Sequence, residues 1–166
     1  MMNTAQLCSE MVKIKTENPP GDTRDCAEFA GAFLESIGIP VSYTTGPAGQ
    51  TNVYSKNQSG ALLLLGHIDV VPAIADGWEY PPYSGEIDET YVHGRGATDM
   101  KGGCAALLSA LAETQDRGVE APVSVALVCD EEGGGKWGTR HLLAEKILHP
   151  SDCLIAEPTP AHAPCI

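Results

Sequence analysis

Basic and aromatic residues are scarce in this sequence. Of 166 residues only 10 are Lys or Arg, against 22 Asp or Glu, which gives a formal net charge of −12. Binding to nucleic acid or to an anionic membrane surface requires clustered basic side chains, so we expect neither partner. Aromatic residues make up 5% of the chain and hydrophobic residues 43%. This content predicts a folded domain whose core is filled mainly by aliphatic side chains.

Long apolar segments and paired cysteines are also missing. The apolar run Ala61–Leu65 is far shorter than the roughly 20 residues that a membrane-spanning helix requires. No basic stretch leads into an apolar core near the N-terminus, so no secretory signal is expected. The six cysteines include no Cys-x-x-Cys pair, which argues against a structural zinc site of the finger type. Because they lie in apolar stretches, we expect reduced, buried thiols in a cytoplasmic protein.

Helical and strand patterns alternate along the chain. Apolar residues at helical spacing predict helices at Thr4–Thr16, Asp25–Ile37, Met100–Arg117 and Thr139–Lys146. Short apolar or β-branched runs predict strands at Pro40–Thr45, Thr51–Ser55, Ala61–Leu65, Tyr91–His93, Val123–Cys129 and Cys153–Ala156. Three of these runs are expected to be buried on both faces, namely Ala61–Leu65, Val123–Cys129 and Cys153–Ala156. The alternation is typical of an α/β fold, with a mostly parallel sheet between helices.

Ionisable residues directly follow the three predicted buried strands. They are His67 and Asp69 after the first, Asp130, Glu131 and Glu132 after the second, and Glu157 after the third. Asp99 comes just before the third predicted helix. Because ligands of open α/β sheets bind beyond the carboxyl ends of the strands, we expect these side chains to converge at one edge.

Converging carboxylates repel one another unless a proton or a metal ion lies between them. Two carboxylates about 4 Å apart cost on the order of 4 kcal/mol at an effective dielectric constant near 20. One imidazole, several carboxylates and no thiolate suit zinc, manganese or cobalt. Each residue alone has an ordinary alternative. His67 could be a loop histidine, Asp69 could cap a turn, and Asp99 could be a helix N-cap. The acidic run 130–132 could be a solvated loop. Their joint position at strand ends favours a metal site.

Other catalytic patterns fit less well. There is no Gly-x-Ser-x-Gly sequence, and Cys129 has no histidine close to it in the sequence. The glycine-rich segment Gly94–Gly103 carries Asp99 where the dinucleotide-binding fingerprint requires its third glycine. Serine, cysteine and phosphate-binding chemistry are therefore disfavoured.

Four segments, in this order, resemble motifs of the peptidase family M20 metallohydrolases. This group includes acetylornithine deacetylase, succinyl-diaminopimelate desuccinylase, aminoacylase and glutamate carboxypeptidase. The segments are GHIDVVP at 66–72, GRGATDMKGG at 94–103, DEE at 130–132 and AEPT at 156–159, and NPPG at 18–21 and GT at 138–139 also fit. The resemblance implies a three-layer α/β/α zinc-peptidase-like catalytic domain. Residues 1–166 would form its N-terminal portion, without the family's lid domain and C-terminal segment.

The resemblance also implies which residues bind metal. His67 and Glu157 would bind a first ion, Glu132 a second, and Asp99 both, with a cis peptide bond between Asp99 and Met100. The ions would be two zinc ions, with cobalt or manganese as alternatives. The family takes one more ligand for the second ion from a late histidine. No motif gives that role to His162, which follows Glu157 in this sequence.

The reaction implied by the resemblance is hydrolysis of an amide bond in a small molecule. The substrate would be an N-acyl amino acid, or alternatively a short peptide cleaved by a carboxypeptidase or dipeptidase. Asp69 would orient the imidazole, and Glu131 would be the general base that activates a metal-bridging water and then protonates the leaving amine. Without the lid we expect weak activity or none. An alternative is a non-catalytic half that assembles with a separately encoded second part. In either case, a sheet edge left exposed by the missing strands would favour a homo-oligomer.

Overall fold

A computed structural model describes residues 2–57, 62–74, 76–119 and 122–159 of the protein. The helices in these ranges are α1 (Thr4–Lys13), α2 (Arg24–Ser36), α3 (Gly102–Asp116) and α4 (Thr139–Ala144), and a π-helical turn (Ala97–Lys101) leads into α3. The strands are β1 (Val41–Thr45), β2 (Thr51–Ser55), β3 (Leu62–His67), β4 (Glu86–Ile87), β5 (Val92–His93), β6 (Val123–Val128) and β7 (Asp152–Ile155). Within the described residues no helix is long and apolar enough to cross a membrane.

Five of the strands form one mixed sheet in the order β1-β2-β6-β3-β7. β3 runs parallel to both β6 and β7, whereas β2 is antiparallel to both β1 and β6. Four strands therefore point in one direction and β2 alone points in the other. This arrangement confirms the mostly parallel sheet that the sequence predicts. β4 and β5 form a separate hairpin.

Helices cover both faces of the sheet. On one face, side chains of α1, α2 and α3 such as Leu7, Leu34 and Leu108 share one core with Val125 and Leu127 of β6. On the other face Leu142 of α4 packs against Leu63 and its neighbours in β3 and β6. Successive strand residues point to opposite faces, so apolar runs in the central strands supply both cores. The three-layer α/β/α architecture is confirmed.

Helix α1 ends earlier than predicted. α1 ends at Lys13, because Thr16 bonds instead to the chain that follows β3. Its hydroxyl donates to the carbonyl of Ile68 at 2.6 Å, and its carbonyl accepts from the N–H of Val70 at 3.0 Å. β3 in turn continues to His67, beyond the predicted end at Leu65. Ala61, where that strand was predicted to begin, lies outside the described residues.

The predicted helix Met100–Arg117 begins later, at Gly102, and ends at Asp116. Asp99 and Met100 have non-helical dihedral angles, and the peptide bond between them is cis, as the resemblance implied. Lys101 is fully buried behind this turn and donates to the carbonyls of Met11 at 2.9 Å and Ile14 at 2.7 Å. The end of α1 is thereby attached to the turn that carries Asp99.

β7 corrects two predictions. It was predicted to be buried on both faces, but all four of its residues are exposed because it lies at the edge of the sheet. Cys153 in this strand is exposed as well, contrary to the expectation of buried thiols. The other four described cysteines are buried, and all five are free of disulfide bonds. Cys165 lies outside the described residues. The remaining predicted boundaries match the observed ones or differ from them by one or two residues.

Candidate metal centre

His67, the last residue of β3, is the centre of a cluster of carboxylates. Its ring is 2% exposed, and its Nε2 atom lies 3.0 Å from Oδ1 of Asp99 and 3.2 Å from Oε1 of Glu157. Ligand atoms of these three residues all lie within 4.8 Å of one another, close enough to hold one metal ion. Oε2 of Glu131 is 3.9 Å from the same nitrogen. One imidazole nitrogen therefore faces three carboxylates.

Parallel strands bring these residues together. β3 lies between β6 and β7, and all three point in the same direction. Glu131 follows the end of β6, and Glu157 follows the end of β7, so both emerge at the edge where His67 ends β3. Asp99 reaches the same edge from the turn before α3. For His67, Asp99, Glu131 and Glu157 the structure shows the predicted convergence beyond the strand ends.

Hydrogen bonding on the far side of the ring fixes its orientation. Nδ1 of His67 lies 2.9 Å from the backbone carbonyl of Asp69, so this nitrogen carries hydrogen and donates, which leaves Nε2 for the carboxylate side. The Asp69 carboxylate is 3.6 Å from Nδ1, longer than a hydrogen bond. The residue implied to orient the imidazole thus bonds to it through its backbone. The backbone carbonyl of His67 accepts a hydrogen bond from the thiol of Cys104 in α3 at 3.2 Å.

The fully buried carboxylate of Asp69 does not bond to the imidazole and holds the backbone of Glu131 and Glu132. It accepts from the backbone N–H groups of Glu131 and Glu132, both at 3.1 Å, and from Nδ2 of Asn18 at 2.9 Å. Burial by itself would raise the pKa of Asp69, but the nearby imidazole of His67 and the hydrogen bonds from Asn18 and from the N–H of Glu131 hold it below its usual value. Asn18 lies in the NPPG segment that supported the resemblance, yet no role for its side chain was evident from the sequence.

The charges of the cluster fit a cation. Burial alone would lower the pKa of His67, but the carboxylates of Asp69 and Glu157 raise it to about 9. Burial raises the pKa of Glu157, and although His67 opposes this, the negative charges of Asp99 and Glu131 raise it further. The raised pKa values of His67 and Glu157 mean that bound protons offset the crowded negative charge, as a metal cation would. A histidine with several carboxylates is also the donor set that zinc and similar ions accept.

Glu132 occupies a different part of the site. It is half-buried, and its pKa is raised by burial and then by the nearby charge of Asp99. Among the described residues the three-ligand group contains His67, Asp99 and Glu157 but not Glu132. Its assignment to a second ion stays a prediction. His162 lies outside the described residues.

A cavity of about 370 Å³ opens beside the cluster. His67, Glu131 and Glu157 line it on the polar side, and the apolar lining includes Leu65 and Ile155. Binding sites for small molecules commonly combine an apolar surface with a few convergent polar groups. The arrangement can therefore place a small substrate against the carboxylate cluster.

Sequence comparison relates the chain to one family. The sequence model described as "Peptidase family M20/M25/M40" matches residues 63–165. Succinyl-diaminopimelate desuccinylase of Sulfurimonas denitrificans is 35% identical over 167 residues, covering 95% of this chain and 43% of that protein. The enzyme of the same name from Methylobacterium nodulans is 40% identical over 142 residues, covering 80% and 36%. The chain thus spans less than half the length of these curated relatives.

Solved structures show the same fold. The M20 family metallo-carboxypeptidase Sso-CP2 from Sulfolobus solfataricus matches with a TM-score of 0.74 at 24% identity, covering 94% of this chain and 37% of that chain. The dipeptidase Dug1p from Saccharomyces cerevisiae also matches with a TM-score of 0.74, at 22% identity, covering 92% and 37%. At these identities the likeness confirms the architecture of the fold.

Proposed function

Because this chain belongs to the M20/M25/M40 peptidase family, we propose that it supplies the metal-binding part of an enzyme that hydrolyses amide bonds. Residues 1–166 would be the N-terminal part of the catalytic domain. The observation that carries the proposal is the cluster in which Nε2 of His67 faces Asp99 and Glu157 at 3.0 and 3.2 Å. The names of the relatives favour removal of an acyl group, such as succinyl, from an N-acyl amino acid.

Two metal ions are proposed, with zinc favoured over cobalt or manganese. His67, Asp99 and Glu157 would hold the first ion, and Asp99 and Glu132 would contribute to the second. When bound, such ions would act as Lewis acids on the amide carbonyl and make water at the site more acidic. Asp99 suits the shared role because it contacts His67 directly and its charge also raises the pKa of Glu132.

Glu131 is proposed as the general base. Its carboxylate lines the cavity, is 54% exposed, and lies 3.9 Å from Nε2 of His67. One of its carboxylate oxygens would accept a proton from a water molecule. Glu131 would then pass that proton to the nitrogen of the leaving amine. Asp69 supports this step, because it binds the backbone N–H groups of Glu131 and Glu132 and so holds their positions.

The proposed partner is a small N-acyl amino acid or short peptide bound in the cavity beside His67. A nucleic-acid partner is not proposed, since the net charge is −12. A cytoplasmic location remains a prediction, supported by the free thiols of the described cysteines.

Metal binding tests the proposal directly. Isothermal titration of the 166-residue protein with zinc should show at least one tight site. His67→Ala should weaken it by at least about a hundredfold, since even partners outside the ligand set are worth about 10- to 100-fold. His93→Ala is the matched control, because His93 pairs with Asp88 in the β4–β5 hairpin. Unchanged zinc binding in His67→Ala, or calcium bound in preference to zinc, would refute the metal site.

The catalytic step requires a second measurement. Zinc-loaded protein is assayed with N-succinyl and N-acetyl amino acids, beside a Glu131→Gln variant. The expected result is slow release of the acyl group by the original protein and none by the variant, with equal zinc content in both. Equal turnover by the two proteins would remove Glu131 from the mechanism. Zinc binding without turnover would leave metal binding as the activity of this chain by itself.

A further inference from the structure

The loop that carries Glu131 and Glu132 is attached to the fold at both of its ends. This base loop, residues 129–138, leaves β6 and returns to α4. The Glu131 carboxylate is 3.9 Å from Nε2 of His67, which is too long for a hydrogen bond. The position of that carboxylate is therefore set by the backbone that carries it, and what holds the backbone decides where the base is.

Asn52 in β2 bonds to both ends of the base loop. Its side chain is buried, with the residue 1% exposed. Oδ1 accepts from the N–H of Cys129 at 3.0 Å, and Nδ2 donates to the carbonyl of Trp137 at 2.8 Å and to the hydroxyl of Thr44 at 3.0 Å. An amide suits this position because it supplies an acceptor for one end of the loop and a donor for the other.

Asp130 and Asn18 complete the attachment from inside the loop. The carboxylate of Asp130 accepts from the N–H of Trp137 at 3.0 Å and from Nδ2 of Asn18 at 3.1 Å. Both backbone polar groups of Trp137 are thereby bonded, one to Asn52 and one to Asp130. The middle of the loop is held through the bonds from Glu131 and Glu132 to Asp69.

We propose that Asn52 is a positioning residue, which holds the base loop against the His67 cluster and so places Glu131 and Glu132. The role of Glu131 as a base rests on the proposed function; the attachment itself does not. Among the described residues, the hydrogen-bond partners of the Asn52 side chain are Thr44, Cys129 and Trp137, and they include none of the candidate metal ligands. Loss of Asn52 should therefore release the loop and leave His67, Asp99 and Glu157 in place.

Amide hydrogen exchange, followed residue by residue by NMR, tests the attachment. In Asn52→Ala the amides of Cys129, Glu131, Glu132 and Trp137 should exchange about tenfold faster, the effect of losing roughly one net hydrogen bond. Amides in the centre of β3 should stay within about twofold of the original protein if the loop opens locally. Unchanged exchange in the loop would overturn the proposal.

Thr23→Val is the matched control. Thr23 is fully buried and exchanges two hydrogen bonds with Thr51, the neighbour of Asn52, at 2.8 and 2.9 Å. Within the part of the chain that the structure describes, it makes no hydrogen bond to the base loop. The control therefore disturbs β2 without releasing the loop. Equal acceleration of the loop amides in both variants would show a general effect on β2 and overturn the proposal.

Asn52→Asp provides a second variant of the same size, which decides the matter if the alanine variant does not fold. Its carboxylate keeps an acceptor for Cys129 but has no donor for the carbonyl of Trp137. Release of this carbonyl should let the C-terminal end of the base loop open, so exchange should quicken at Trp137, whose N–H is bonded to Asp130, and remain slow at Cys129. Equal rates at both positions, fast or slow, would contradict separate attachment of the two ends.

Cobalt titration separates positioning from stability. Glu132 lies on the base loop, whereas His67, Asp99 and Glu157 do not. In Asn52→Ala the first equivalent of cobalt should therefore keep the visible spectrum and the affinity that it has in the original protein. The second should bind about tenfold more weakly, the loss expected for a displaced supporting contact. Equal weakening of both equivalents would indicate a structural role only. If the original protein binds no cobalt, the proposed function fails, while the exchange rates still decide the role of Asn52.

Discussion

Glu17 shows how a single carboxylate, outside the cluster, fixes a long loop. Its Oε1 atom accepts from the hydroxyl of Tyr83 at 2.6 Å and from the N–H of Ala73 at 3.1 Å, and Oε2 pairs with Lys15 at 3.0 Å. The bond from Tyr83, opposed by burial and assisted by Ala73 and Lys15, lowers the pKa of Glu17 to about 2. These contacts join the segment after α1 to the loop that follows the His67 strand.

Loss of the Tyr83 hydroxyl should make stability depend less on pH. The lowered pKa means that the stabilisation from Glu17 is fully present above its ordinary value of 4.5 and disappears as the pH falls through about 2. In Tyr83→Phe the pKa of Glu17 should rise, and the free energy of unfolding at pH 6 should fall by about 1–2 kcal/mol. Urea unfolding at pH 6 and near pH 2 measures both quantities.

Tyr80→Phe is the control for this prediction, since the Tyr80 ring packs against His93, and the described hydrogen bonds of Glu17 come from Tyr83 and Ala73. Its unfolding free energy should follow that of the original protein at both pH values. If Tyr83→Phe were equally destabilising near pH 2 and at pH 6, the loss would come from packing and not from the ionised carboxylate.

At the residue scale, the sequence predicted those site residues that have a recognisable position next to a predicted strand or helix. His67, Asp99 and Glu157 stand at strand ends or a helix start, and the resemblance gave them roles. Asn18 and Asn52 could not be found in that way, because amide side chains have no distinctive local pattern. Their partners are also remote: 112 residues separate Asn18 from Asp130, and 77 separate Asn52 from Cys129. Only the folded chain shows that these amides join the loop to the sheet.

At the scale of the elements, a close approach between α3 and β7 places Glu157. A Cβ atom on Gly103, in the first turn of α3, would overlap the carbonyl oxygen of Ala156. That carbonyl belongs to the residue just before Glu157, and a backbone atom cannot turn aside as a side chain can. Glycine at 103 therefore allows the helix to begin against the end of the strand that leads to a candidate ligand.

Gly103→Ala should consequently displace the end of β7. We expect a loss of about 1–3 kcal/mol in the free energy of unfolding from overpacking, together with weaker zinc binding through Glu157. Urea unfolding and isothermal zinc titration measure the two effects. Original stability and zinc affinity in this variant would show that the end of β7 moves aside without cost.

Gly31→Ala is a suitable control, because it adds the same methyl group to a helix. There the added Cβ would meet the hydroxyl of Tyr43, the tip of a side chain that is 42% exposed and can move. Zinc affinity should be unchanged. Stability should change little, since alanine is favoured over glycine in helices by about 0.5–1 kcal/mol and offsets the small rearrangement.

The elements themselves were largely predictable from hydrophobic periodicity, and the exceptions have local causes. The periodic pattern of α3 continues into Met100, but Asp99 and Met100 have non-helical dihedral angles, so the helix begins only at Gly102. The apolar run of β7 resembles that of β3, yet β3 has a strand on each side and β7 lies at the edge of the sheet. A hydrophobic run indicates a strand; it does not show how many neighbours cover that strand.

At the scale of the whole molecule, β7 leaves an apolar edge exposed. Leu154 is 46% exposed and Ile155 55% exposed, and in the described residues β7 pairs with β3 alone. Unpaired strand edges with apolar side chains tend to pair with another chain. The homo-oligomer expected from the sequence would form here, by β7 of one copy meeting β7 of another.

Leu154→Lys tests this contact. A lysine on an edge strand opposes pairing, because its charge would have to be buried in the interface. Sedimentation velocity over a range of concentrations should show dimers of the original protein and a shift of the variant to monomer. Ile74→Lys is the matched control: Ile74 is 80% exposed but lies in the loop after β3, so the same charge change there should leave dimers intact. Dimers that persist in Leu154→Lys, or vanish equally in both variants, would show that β7 is not the contact between copies.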